Sequence, residues 1–141
     1  MRISLLITAL NDLDLRSVYI ENSYLTDICR EKIWTRSVPE FGQSEGKVFI
    51  TVMALYGLKS SGSAFRSFLT ARLDEMGFKS SIADPDLWIR HATKPYGEQY
   101  YKLILLYVDY LPVIRQDAVS VIRGVAEKFK LKKYKIETPE I

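Results

Sequence analysis

Between Leu87 and Arg115 the sequence consists of three apolar runs separated by two turn signals, and this pattern constrains the fold most. Leu87 to Arg90 and Gln99 to Val108 read as strands, and the loop between them carries Pro95 and Gly97. The chain reverses again near Asp109-Tyr110 and continues as Leu111 to Arg115. Short reversals of this kind give antiparallel pairing, because parallel strands need a long crossover.

The rest of the chain supplies helices around that core. Ile3 to Leu10 reads as a helix. Leu13 to Ile20 reads as a strand, with Leu13, Leu15, Ser17 and Tyr19 on one face and Asp14, Arg16, Val18 and Ile20 on the other. Asn22 to Leu25 turns away from it. Glu31 to Arg36 and Lys47 to Met53 read as strands on either side of a loop with Pro39, Gly42 and Gly46. Ser60 to Met76 is the clearest helix. Ser60 or Ser61 is placed to cap it, Phe65, Phe68, Leu69, Leu73 and Met76 share one face, and Gly77 can stop it in a left-handed conformation. Asp117 is placed to cap a last helix with the stripe Ile122, Val125, Ala126 and Phe129, and Lys130 to Ile136 follows as a short strand. The fold class expected is α+β, an antiparallel sheet with helices on one face. Residues 1–141 are read as a single domain, long enough to bury roughly two-thirds of the surface of the unfolded chain.

Composition removes several functional classes. With 48% hydrophobic and 26% charged residues the chain is neither disordered nor fibrous. The lone Cys29 excludes an internal disulfide framework and a cysteine zinc cluster, and the lone His91 excludes most histidine metal sites. Leu103 to Ile114 is the most apolar stretch, but Asp109 interrupts it and it falls short of the roughly 20 residues of a membrane span. Ile3 to Leu10 loosely imitates a signal peptide without a small-residue cleavage site. A cytoplasmic or nuclear, non-secreted protein without a membrane partner is therefore expected. Twenty Lys and Arg against seventeen Asp and Glu leave +3, compatible with nucleic acid but not diagnostic of it.

Three ordered segments carry a family resemblance. Ala54-Leu55-Tyr56-Gly57-Leu58-Lys59-Ser60-Ser61 resembles the ALYGLKQSP signature of reverse transcriptases from copia-type retrotransposons. The segment from Gly77-Phe78 through Ala83-Asp84-Pro85-Asp86-Leu87 is similar to that family's GF..S.ADP.L. Tyr107-Val108-Asp109-Tyr110 stands where the family has YVDD, and Tyr19 to Leu25 is similar to its DV..AFL segment. The resemblance runs from about Ala9 to the C-terminus. It implies a polymerase palm with partial fingers and no thumb, a partial domain of a larger polyprotein.

In that family, polymerisation is an in-line phosphoryl transfer that uses two Mg2+ ions about 3.5–4 Å apart. These hard cations need convergent oxygen ligands. The resemblance puts one catalytic Asp at Tyr19 and a pair at Asp109 and Tyr110, so Asp109 is retained and two carboxylates are replaced by tyrosine. A neutral phenol with a pKa of about 10 is a poor substitute. Glu21 would sit roughly 6.6 Å along the strand from Tyr19, too far to replace a ligand. Mg2+ is thus the cofactor of the family, with at most a loose hydrated ion expected at Asp109. Pro112 falls in the second strand of the YVDD hairpin, and proline is expected at edges or bulges. Gly62 replaces the signature's proline and loosens the helix entry.

By the same resemblance, Tyr24 matches the aromatic under the incoming sugar, and Tyr56, Gly57 and Lys59 match the loop that backs the nucleotide and template. For an isolated chain Tyr24 reads rather as a core aromatic, and without metals Lys59 reads as a solvated or phosphate-touching lysine. Asp84-Pro85 reads as a turn before a strand. Lys128, Lys130, Lys132, Lys133 and Lys135 could touch a nucleic-acid backbone, although charge runs are usually solvated faces. Three functions compete: a palm fragment whose RNA-directed DNA polymerase activity is lost, an active polymerase that acts on primer–template, and a non-catalytic nucleic-acid-binding or protein-interaction module. The substitutions at Tyr19, Tyr110 and Pro112 suggest decay of a mobile element.

Overall fold

The computed structural model describes residues 2–29 and 31–132. In chain order the elements are α1 (Arg2–Leu10), β1 (Asp14–Tyr19), β2 (Trp34–Arg36), β3 (Val48–Ile50), α2 (Ser61–Glu75), β4 (Lys79–Ser80), β5 (Leu87–Thr93), β6 (Gln99–Leu105), β7 (Tyr110–Arg115) and α3 (Ala118–Ala126). They fall into two compact units, one of Met1–Glu21 with Leu69–Ile141 and the other of Asn22–Phe68. The class is α+β.

The first unit is built on a five-stranded antiparallel sheet in the order β1-β7-β6-β5-β4. The β5–β6–β7 meander forms where the turn residues place it, with Gly97 at φ 93° in the first turn. Leu111, Pro112, Val113 and Ile114 are all buried in succession along β7. Alternate residues of a strand point to opposite faces, so the sheet is covered on both sides at β7. Ile7 of α1 packs against the cluster of Leu13, Leu103 and Ile114, which Leu15, Leu87 and Ile89 extend. On the opposite face Arg90, the register partner of Lys102, donates to the Met76 carbonyl at the end of α2 and lies over the Phe78 ring. The expected arrangement of helices on one face is therefore corrected to helices on both. The sequence of β7, apolar without interruption from Leu111 to Ile114, carries that signature.

Gly77 ends α2 as its sequence predicts. At φ 79° it lets its N–H reach the Asp74 carbonyl (2.9 Å) and the Phe78 N–H reach that of Leu73 (3.0 Å). Leu73 and Phe78, both fully buried, make the apolar contact that accompanies such a stop. In α3 the buried residues are Ala118, Val121, Ile122 and Val125, continued by Phe129, and Ala126 is exposed. Ile122, Val125 and Phe129 of the expected stripe thus face inward, Val121 takes the place of Ala126, and Asp117 makes no side-chain capping bond.

Pro112 sits in the interior strand β7, not at an edge. The Ile20 N–H donates to the Asp109 carbonyl, so bonded pairs alternate along β1–β7 and Ser17↔Pro112 is a non-bonded pair. The proline nitrogen therefore points to β6. There the paired register covers Leu103↔Ile114 and Ile104↔Val113, then breaks, and it resumes as the isolated Tyr107↔Tyr110 bridge. Of the expected last strand, Leu131 bridges Ile20, and residues 133–136 lie outside the described residues.

In the second unit β2 and β3 pair antiparallel with Trp34↔Ile50, Thr35↔Phe49 and Arg36↔Val48 in register. Both strands are shorter than the sequence suggests and all their residues are exposed. The N-terminus of α2 is met by a carboxylate, not by a serine cap. Glu31 Oε1 accepts the Ser60 N–H at 3.0 Å and also the Ser60 hydroxyl, while the buried Ser61 hydroxyl has no partner among the described residues. These bonds, first the hydroxyl and then the backbone N–H of Ser60, hold the Glu31 carboxyl below the usual carboxylate range.

Candidate functional site

The two-residue turn at Val108-Asp109 closes the β6–β7 hairpin, with reciprocal bonds between Tyr107 and Tyr110 of 3.0 and 2.9 Å. Val108 takes φ 55°, a left-handed conformation that costs a β-branched residue. The turn presents Asp109, half-buried, at the end of the sheet. Tyr19 and Tyr110 are register partners at a non-bonded pair, the closer of the two antiparallel spacings. Their ring centroids lie 4.7 Å apart at 39°. Lys132 Nζ stands 5.4 Å from the Tyr19 ring centroid.

Tyr19, Asp109 and Tyr110 share a groove of about 880 Å3 with Asp84, Asp86, Leu105, Leu106, Tyr107, Val108 and Pro112. Asp84 and Asp86 arrive on the turn before β5, where Asp84 Oδ1 accepts the Asp86 N–H at 2.9 Å and the Asp84 carbonyl accepts that of Leu87 at 3.0 Å. Among the described residues, no three His, Cys, Asp or Glu side chains converge as a metal site requires. The donor set at this point is one carboxylate and two phenols. It does not fit a pair of hard divalent cations.

In the second unit Tyr24 and Tyr56 stack at 4.5 Å, and the Phe65 ring lies 6.0 Å from Tyr24. The Ser23 and Tyr56 hydroxyls are 3.3 Å apart. Gly57 has φ 94° with open space where a side chain would be, so within this chain its backbone conformation, not crowding, calls for glycine. Lys59 adds a weak electrostatic pull to the lowered Glu31.

The chain matches the family model described as reverse transcriptase (RNA-dependent DNA polymerase) over residues 1–138. It belongs to this reverse-transcriptase family. Neither the curated proteins nor the solved structures gave a match.

Within this reverse-transcriptase domain the fold brings Tyr19, Asp109 and Tyr110 together in one unit, and Tyr24 with Tyr56 in the other. Of the basic run, two described lysines are ion-paired. Lys128 pairs with Glu75 and Lys130 with Glu21 (3.0 and 3.1 Å), while Lys133 and Lys135 lie outside the described residues. Sequence reasoning missed the groove. Tyr107 and Asp86 line it, and the sequence offers no local periodicity that joins the turn before β5 to the β6–β7 hairpin. No helix among the described residues is long and apolar enough to cross a membrane.

Proposed function

We propose that this chain is a palm domain of the copia-type reverse transcriptases in which RNA-directed DNA polymerisation has been lost. The observation that carries this reading is the Tyr19–Tyr110 pair. Two phenol rings in register, 4.7 Å apart, stand where the family resemblance calls for carboxylates. Asp109 alone offers a divalent cation one charged ligand, and among the described residues no neighbouring carboxylate supplies the rest. Phosphoryl transfer depends on metals that neutralise charge on both the attacking and leaving oxygens, so losing their ligands removes the main source of catalysis.

The test is extension of a labelled primer on an RNA template with Mg2+. The chain as it stands is expected to give no extended product, and extension would overturn the reading. A Tyr19→Asp, Tyr110→Asp double variant restores the three carboxylates. Mg2+-dependent stabilisation of that variant, absent from the parent, is the accompanying expectation. A weak primer–template affinity is proposed in parallel, because Lys128 and Lys130 are already paired to glutamates.

A further inference from the structure

The groove beside Tyr19 has a lining that favours a particular class of ligand. Its volume of about 880 Å3 is in the range of small-molecule sites. Three tyrosine rings, Tyr19, Tyr107 and Tyr110, line it together with Leu105 and Pro112. Among the described residues, every charged side chain in that lining is a carboxylate: Asp84, Asp86 and Asp109.

These walls discriminate among ligands. An anion would meet three carboxylates in the lining, with Lys132 over the Tyr19 ring as the one cation among the described residues beside it. A hard divalent cation would have to give up water to carboxylates that do not converge. A soft organic cation meets neither obstacle, because ring faces attract it through their quadrupole and its alkyl groups lose little on leaving water. Tyr19 already takes such a partner in Lys132, whose ammonium lies 5.4 Å from its ring centroid.

We propose that this groove is a binding site for a compact alkylated ammonium ion, held by the tyrosine rings and the surrounding carboxylates. The inference shares with the proposed function the absence of converging carboxylates among the described residues, and choline preference and primer extension are separate readouts, so a failure of one is told from a failure of the other.

The experiment titrates the full chain with choline and with its neutral isostere 3,3-dimethyl-1-butanol, followed by tyrosine fluorescence. Choline is expected to saturate and to bind at least about threefold more tightly than the alcohol, the margin of an exposed cation–π contact. Tyr110→Phe keeps that preference and Tyr110→Leu loses it. Tyr107→Leu, at a side chain three-quarters exposed and so free of core cost, also lowers it. Equal binding of the two isosteres, no saturable response to choline, or an unchanged preference in both leucine variants would overturn the proposal.

Discussion

Tyr19 and Tyr110 are partners in register across β1 and β7, and their rings pack 4.7 Å apart at a position where a pair of carboxylates would repel. The tyrosine pair is an attractive contact that ties the first strand to the last hairpin.

The worth of this contact is measurable. A double-mutant cycle of Tyr19→Ala and Tyr110→Ala, read by urea unfolding, is expected to give a coupling of about 0.5–1.5 kcal/mol beyond the area terms. Strictly additive single variants would show that the rings merely coexist.

Val108 predicts the opposite kind of effect. It holds φ 55° at the tip of the β6–β7 turn, where a β-branched side chain is disfavoured. Val108→Gly is expected to stabilise the domain by about 1 kcal/mol, the relief of the left-handed penalty less the entropy of the freer unfolded glycine. The shift in urea midpoint at constant slope reports it.

Glu31 makes the acid limb of stability sensitive to one residue. Its carboxyl is held below the usual range by the bonds from Ser60, so the folded pKa lies under the unfolded one. Its contribution is present above the unfolded pKa and is lost as pH falls through the folded value. Glu31→Gln is therefore expected to flatten the pH dependence of unfolding in the acid range while lowering stability at neutral pH. A set of urea titrations across pH decides this.

Lys102 behaves in the reverse sense. Burial, then the neighbouring Arg115 and Arg90, push its ammonium pKa down, against a smaller opposing pull from Asp117. A lysine whose folded pKa is depressed destabilises the fold while it is protonated, and the penalty fades as pH rises toward its ordinary range. Lys102→Met is expected to raise stability at pH 7 by on the order of 0.5 kcal/mol after allowance for solvent screening. The gain should vanish near pH ~10, where the unfolded lysine also loses its proton.

What the sequence reveals depends on how local the cause is. The stop of α2 at Gly77 and the reversals around Gly97 and Asp109 come from residues that dictate their own backbone, and each is found where expected. The two-residue strand β4 carries no periodicity to read. The inward face of α3 is set by where the helix meets β1 and β7, which decides for Val121 over Ala126. Pro112 is the sharpest case. Composition rules place it at an edge, yet it is tolerated inside the sheet because its nitrogen faces a ladder that breaks there. The positions of Tyr19, Asp109 and Tyr110 were legible because each sits in a recognisable segment. The groove they share with Asp84 and Asp86 was not, since it is assembled from segments far apart in the chain.

The short stretch from Lys130 to Lys132 covers the C-terminal end of an otherwise open flank. β1 is the outermost strand on its side of the sheet, and the Glu21 N–H donates to the Lys130 carbonyl while the Lys132 N–H donates to that of Tyr19. Bare strand backbone of this kind is a template on which further chains can assemble. Three residues after α3 therefore shield that end of the edge from fibril-like self-association, and a chain cut before Lys130 should self-associate more readily than the full chain.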